Sequence, residues 1–259
     1  MTRLEGKQEM EQENNIARKI IVALDVDTKQ EALELVKEIP DAEIFKVGLR
    51  LFTAEGPSLL QDIHAFGKKT FLDLKLHDIP DQVAGAVLSG ATHGVHMMTL
   101  HASGGREMMA AARSAAQEAE RQKGSKPLLL AVTILTSLKE EQLKEIGMDD
   151  RVLPQVLRLV KLAEKKGMDG VVCSPQEIDA IKKEFRENLL VITPGIRPVW
   201  AAAQDQKRIL TPRKAMEKGV DYMVIGRPII KAPSPSEAFR KILEDLNRAV
   251  YTANSKNCT

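Results

Sequence analysis

Aromatic residues are scarce in this chain, with six Phe, two Tyr and one Trp among 259 residues. That scarcity argues against stacked-base, sugar-platform and membrane-interface readings, and it makes the core aliphatic. Cysteine is nearly absent too. Cys173 and Cys258 cannot build a disulfide scaffold or a four-cysteine zinc site, so a reducing compartment is the simpler inference. Neither sign of charge dominates, with 38 Lys plus Arg against 36 Asp plus Glu, and no global field draws the chain to nucleic acid or to an anionic membrane. Residues 1–19 interleave Arg3, Lys7, Arg18 and Lys19 with Glu5, Glu9, Glu11 and Glu13 and hold no apolar stretch, unlike a signal peptide or a membrane span. The expectation is a cytoplasmic protein with a flexible N-terminal tail at 1–19, one domain at 20–250 and a C-terminal tail at 251–259. The histidines are scattered without His-x-x-x-His or other clustered spacing, so no metal site is expected.

What is present is a repeat. Short runs rich in β-branched and aliphatic residues, at 20–26, 44–51, 70–76, 95–101, 128–135, 170–174, 189–196 and 222–226, alternate with amphipathic stretches of roughly 10–15 residues. Each run is almost continuously apolar, as strands covered on both faces are. The intervening stretches, among them 29–39, 57–66, 106–122, 153–166, 175–185 and 212–218, read as helices, and 236–249 closes the series. Gly67, Gly167 and Gly219 stand where helix C-caps are wanted. Eight strand–helix units predict a (β/α)8 TIM barrel in the α/β class. The alternative, an open doubly wound sheet, would want Gly-x-Gly-x-x-Gly after the first strand, where the chain reads Leu24-Asp25-Val26-Asp27.

In such a barrel the active site lies at the carboxyl ends of the strands, so polar residues there carry the information. Asp25, Lys46, Asp73, Lys75, His101, Thr136, Ser174, Arg197 and Arg227 all lie in or just beyond predicted strands. The third strand, Phe71-Leu72-Asp73-Leu74-Lys75-Leu76, is the sharpest case. Strand alternation puts Asp73 and Lys75 on one face and the three leucines on the other. Opposite charges about 4 Å apart gain on the order of 4 kcal/mol at an effective dielectric of 20, which makes their burial tolerable. A structural ion pair would look the same, but Asp78 just beyond the strand brings a second acid toward the lysine. At the last two strand ends, Pro194-Gly195-Ile196-Arg197 and Gly226-Arg227 supply free backbone N–H groups and guanidinium forks where this fold holds phosphate. His101 reads as a hydrogen-bonded strand-end residue, and Cys173 as a small buried hydrophobe.

Six elements in order, Val22-Ala23-Leu24-Asp25, Phe45-Lys46-Val47-Gly48, the run from Leu72 to Pro80, Leu135-Thr136-Ser137, Thr193-Pro194-Gly195-Ile196-Arg197 and Gly226-Arg227-Pro228, resemble the orotidine 5′-phosphate decarboxylases. The resemblance implies a cofactor-free lyase that converts orotidine 5′-phosphate to UMP and CO2. It also implies a homodimer of barrels with active sites shared between subunits. By position it implies catalytic Lys75, Asp73, Asp78 and Lys46. The substrate contacts it implies are Asp25, Lys46, Asp73, Ile79, Gln82, Thr136, Pro194, Arg197, Gln206, Gly226 and Arg227. Gln82 departs from the family, which usually has Thr at that place. The segment 198–206 is the expected lid. Two alternatives share the barrel: a metal-dependent sugar-phosphate lyase, and a non-catalytic phosphate-binding protein whose ion network is structural.

Overall fold

The computed structural model describes residues 16–148, 151–185, 189–201 and 210–256, with side chains described through residue 248. Eight parallel strands close into a barrel in sequence order: β1 Ile20–Ala23, β2 Ile44–Gly48, β3 Lys69–Leu76, β4 Met97–His101, β5 Leu128–Val132, β6 Gly170–Val172, β7 Leu190–Pro194 and β8 Tyr222–Ile225. β8 returns to β1, with Met223 opposite Ile20. The barrel predicted from the eight apolar runs is the one observed, and most of its strands are shorter than expected. Ser174, Ile196 and Gly226 fall beyond strand ends, because turns and loops take over hydrogen bonding there, and Asp25 lies two residues past the end of β1.

Between the strands run α1 Lys29–Glu38, α2 Leu49–Glu55, α3 Ser58–His64, α4 Pro80–Thr92, α5 Gly105–Lys123, α6 Glu140–Glu145, α7 Val152–Lys165, α8 Ile178–Phe185, α9 Pro212–Glu217, α10 Arg227–Ile230 and α11 Pro235–Lys256. Local chemistry sets several of these ends. Thr28 and Glu31 form a reciprocal capping box at the start of α1. The helix expected from residue 175 begins at Ile178, because Ser174 and Glu177 close a turn first, the Glu177 carboxylate accepting the Ser174 N–H at 2.8 Å. The closing helix runs to Lys256, and before β1 the side chains of Ile16 and Ala17 are buried.

A repeated device joins helices to strands at the amino-terminal mouth. Gly167 and Gly219 turn the chain with φ of 69° and 79°, the left-handed conformation that glycine adopts without penalty. A buried apolar residue follows, Met168 or Val220, and then an aspartate. Asp169 accepts the Leu129 N–H at 2.8 Å and pairs with Arg113 at 3.0 Å. Asp221 accepts the Val191 N–H at 2.8 Å and pairs with Lys182 at 2.7 Å. Each aspartate therefore ties the start of its own strand to the start of the preceding one.

Two cores result. The larger lies between strands and helices, and the smaller fills the barrel, where Ile21, Ala23, Ile44, Phe71, Met97, Leu130, Ile192 and Val224 pack together. These are alternate residues of their strands, the inward set of a period-two pattern. The same inward column continues toward the carboxyl ends as Asp25, Lys46, Asp73 and Thr99. The site is thus the polar end of the inner core.

Candidate active site

The charges in this column alternate in sign across the barrel mouth. Lys46 Nζ lies 3.0 Å from Asp25 Oδ1 and 3.7 Å from Asp73 Oδ2, and Lys75 Nζ lies 2.8 Å from Asp73 Oδ1. Lys46 is only 9 % exposed, so the two flanking carboxylates are what make a buried ammonium tolerable there. Gly48 belongs to the same arrangement, since a Cβ at that position would sit 2.9 Å from the Lys46 ammonium.

Simple alternation does not explain how Lys75 reaches the mouth. Phe71 pairs with Met97 and Leu72 with Met98, but the next pair is Leu76 with Leu100, so residues 73–75 lie opposite Thr99 alone. β3 therefore bulges. Lys75 takes up the irregularity with φ of 52°, the one positive value outside glycine among the described residues. For an L-residue that conformation costs roughly 1–2 kcal/mol, and such costs gather at functional positions. The bulge also corrects the expected division of faces. Leu74 and Leu76 still pack on the outer core, but Leu74 also lines the cleft beside Lys75.

Two connected hollows open around the row. One, of about 320 Å³, is bounded by Asp25, Lys46, Asp73 and Lys75 on one side and by Thr136, Pro194, Arg197, Gly226 and Arg227 on the other. Formal charge in it favours an anion: four cations stand against two carboxylates. The other, of about 590 Å³, shares Asp25, Lys46, Asp73 and Lys75 and adds Leu24, Leu49, Arg50, Leu74, His77, His101 and Leu135. Arg50 pairs with Asp27 at its rim, and the carboxylate raises the guanidinium pKa further.

His101 stands against His77, with ring centroids 5.2 Å apart, and among the described residues the expected side-chain hydrogen bond is not found. Burial, then the neighbouring His77 and Lys75, lower its pKa, while Asp73 opposes them weakly. The shift favours the neutral imidazole, the form that adds no further positive charge beside Lys75. Cys173 is fully buried and its thiol is pushed up to about 12, mainly by desolvation, in keeping with an inert core residue. Among the described residues no group of three His, Cys, Asp or Glu side chains is arranged to hold a metal ion, and no helix is long and apolar enough to cross a membrane.

Asp25, Lys46, Asp73, Lys75, Thr136, Pro194, Arg197, Gly226 and Arg227 therefore come together in one hollow. Asp78, Ile79 and Gln82 do not join them. They are exposed where α4 begins, with Ile79 63 % accessible and the Asp78 carboxylate accepting the Ile79 N–H at 2.7 Å. Gln206 lies outside the described residues, as does most of the expected lid. Its first part, Val199–Ala201, is a single 3-10 turn with Val199 and Trp200 exposed. Three contributors were not singled out from sequence: Thr99, Gly48 and Arg50. For Thr99 a signal existed, a hydroxyl on the inward parity of an apolar strand between Met97 and His101.

Fold and site together define a class: a (β/α)8 barrel whose carboxyl-end mouth sets a lysine–aspartate row against an arginine-rich anion pocket. Residues 18–242 match the Orotidine 5'-phosphate decarboxylase / HUMPS family. The chain belongs to that family. It is 47% identical over 236 residues to the orotidine 5'-phosphate decarboxylase of Pseudoalteromonas translucida, covering 90% of this chain and 97% of the relative. It is 48% identical over 229 residues to that of Idiomarina loihiensis, covering 88% and 97%. The crystal structure of orotidine 5'-phosphate decarboxylase from Lactobacillus acidophilus superposes with a TM-score of 0.80 at 35% identity, over 89% of this chain and 99% of that one.

Proposed function

We propose that the protein decarboxylates orotidine 5′-phosphate to UMP and CO2, the last step of UMP synthesis, as a cytoplasmic homodimer that needs no cofactor. The observation that carries this reading is the row Asp25–Lys46–Asp73–Lys75 opening into a hollow whose far wall is Arg197, Gly226 and Arg227. Those guanidiniums suit the phosphate, the group to which the resemblance to the family also assigns Gln206, and Pro194 lines the same hollow. Asp25 and Lys46 suit the ribose hydroxyls, and Thr136 the pyrimidine.

Breaking the bond from carbon 6 to the carboxylate leaves an electron pair on carbon 6 with no adjacent carbonyl to accept it. The Lys75 ammonium meets both needs. Its charge stabilises the carbanion as it forms, and its proton ends on carbon 6, leaving UMP, CO2 and a neutral amine that water reprotonates. A fixed cation in a pocket shielded from water is worth far more than one in solvent, and each 1.36 kcal/mol it contributes is about tenfold in rate. Asp73 orients the lysine through the 2.8 Å contact and faces the departing carboxylate. In this reading Asp78, Ile79 and Gln82 serve the site of a second copy, which fits their exposure away from their own hollow.

The test is the loss of orotidine 5′-phosphate absorbance with chelator present. Turnover that survives chelation is expected, and its absence would favour the metal-dependent sugar-phosphate chemistry of a related barrel. Lys75→Ala should abolish turnover. In mixed dimers of inactive Lys75→Ala and Asp78→Ala chains, partial activity should return, and a confirmed mixed dimer without it would overturn the sharing of sites.

A further inference from the structure

We infer that Thr99 is the positioning residue for Lys75, an inference that rests on the decarboxylase reading for its kinetic consequence and on geometry alone for its structural one. One atom does two things. Thr99 Oγ1 accepts the Lys75 backbone N–H at 2.9 Å and donates its own proton to Asp73 Oδ1 at 3.0 Å. That carboxylate oxygen is the one Lys75 Nζ reaches at 2.8 Å. The hydroxyl thus pins both ends of the lysine, its main chain directly and its ammonium through the aspartate.

The β3 bulge is what makes such a pin necessary. With residues 73–75 facing a single residue of β4, the regular ladder offers the Lys75 N–H no carbonyl, and a buried donor without an acceptor is costly. Thr99 supplies that acceptor. Its exposure is 1 %, so water cannot stand in for it, and β-branching restricts its χ1. Among side chains close to its size, only a hydroxyl both donates and accepts strongly at one atom; valine has its shape and neither capacity. Thr99 lines neither hollow. It acts on the substrate only through Lys75 and Asp73, so its loss should appear in the chemical step and leave substrate binding to the arginines and Lys46.

Comparing Thr99→Val with Thr99→Ser tests this. Thr99→Val should lower kcat by roughly 30- to 100-fold, the scale expected when a reacting group is displaced by about 1 Å, with KM within about threefold of wild type. Thr99→Ser, which keeps the hydroxyl, should recover kcat to within about threefold. Wild-type kcat in Thr99→Val, a loss confined to KM, or equal damage in both variants would overturn the assignment. If Thr99→Val does not fold, Thr99→Cys takes its place, because sulfur is a weak acceptor at nearly serine size. It must show the valine-like loss, and serine-like activity would count against the proposal. A crystal structure of the valine or cysteine variant separates this inference from the functional one. Lys75 should leave its positive φ; if φ stays near that value with Nζ still on Asp73, the inference fails even if the enzyme acts on another substrate.

Discussion

At the amino-terminal mouth of the barrel, each of two aspartates accepts one backbone N–H and pairs with one cation: Asp169 with Leu129 N and Arg113, Asp221 with Val191 N and Lys182. At the carboxyl-terminal mouth Asp73 accepts from a hydroxyl and lies against two ammonium groups, and those ammonium groups face an open hollow. The chemistry of the partners separates the two ends. A carboxylate bonded to strand backbone is committed to the ladder and serves the fold. A carboxylate bonded to side chains on its own strand and on both neighbouring strands holds those side chains in place, and the cations keep unused donors pointing toward whatever enters. Backbone strain follows the same division, for the one non-glycine residue with positive φ among the described residues is Lys75.

The largest effect should come from removing that lysine in a way that also relieves the strain. Lys75→Gly is expected to lower turnover of orotidine 5′-phosphate at least roughly 1,000-fold, since in the proposed mechanism charge stabilisation and proton delivery are lost together. Its stability should nonetheless stay within about 1 kcal/mol of wild type. Glycine regains roughly the 1–2 kcal/mol of left-handed strain and gives back part of it as chain entropy in the unfolded state. Absorbance assays and urea denaturation measure the two quantities. A stability loss well beyond that range would mean that the Asp73–Lys75 pair serves the fold as the amino-terminal pairs do, and the contrast between the mouths would collapse.

Glu177 sharpens the comparison because it follows neither pattern. It lies past the carboxyl end of β6, outside both hollows, 6 % exposed, with the Ser174 N–H at 2.8 Å and no ion pair among the described residues. Desolvation pushes its carboxyl up to about 7, and the backbone hydrogen bond only partly opposes this. With the folded pKa raised, the folded chain binds more protons than the unfolded one between the ordinary glutamate value and about 7. Stability therefore falls as pH rises through that window. Glu177→Gln keeps an acceptor for Ser174 and cannot ionise, so it should be more stable than wild type at pH 8 by up to roughly 3 kcal/mol, the gap closing toward pH 4.5. Urea midpoints across that range measure it. An unchanged gap at both ends would show that Glu177 is matched by a cation after all.

The barrel was legible because its signal is redundant: eight apolar runs, with glycines at helix ends, state the same unit again and again. Most of the site was legible for a related reason, since Asp25, Lys46 and Asp73 break an apolar inward column where only function or pairing explains charge. The bulge was not. A period-two pattern puts Lys75 where it was expected, on the right face for the wrong reason, and nothing in Asp73-Leu74-Lys75 announces two extra residues against β4. Thr99 escaped notice for want of that knowledge, because one hydroxyl in a strand matters only when the ladder beside it has failed. The late start of α8 relative to the expected helix has a local cause as well, as the turn from Ser174 to Glu177 competes with helix by giving the Ser174 N–H a carboxylate acceptor.

The smallest effect tests the amino-terminal half of the contrast. Asp169→Ala leaves the Leu129 N–H without its acceptor and Arg113 without its pair, at a cost of about 2 kcal/mol, most of it the price of an unsatisfied backbone donor. Asp169→Asn keeps a carbonyl oxygen for Leu129 and loses only the charge, so it should cost about half as much. In both variants kcat and KM for orotidine 5′-phosphate should match wild type, because a close-packed apolar inner core separates the two mouths and neither Asp169 nor its partners lines the candidate site. Asp169 and Asp221 share no partner, so the double replacement should cost the sum of the singles. A drop in kcat that tracks the loss of stability would mean the two mouths are coupled through the β5–β6 register, and the carboxyl-end row would then owe part of its geometry to charges at the opposite end of the barrel.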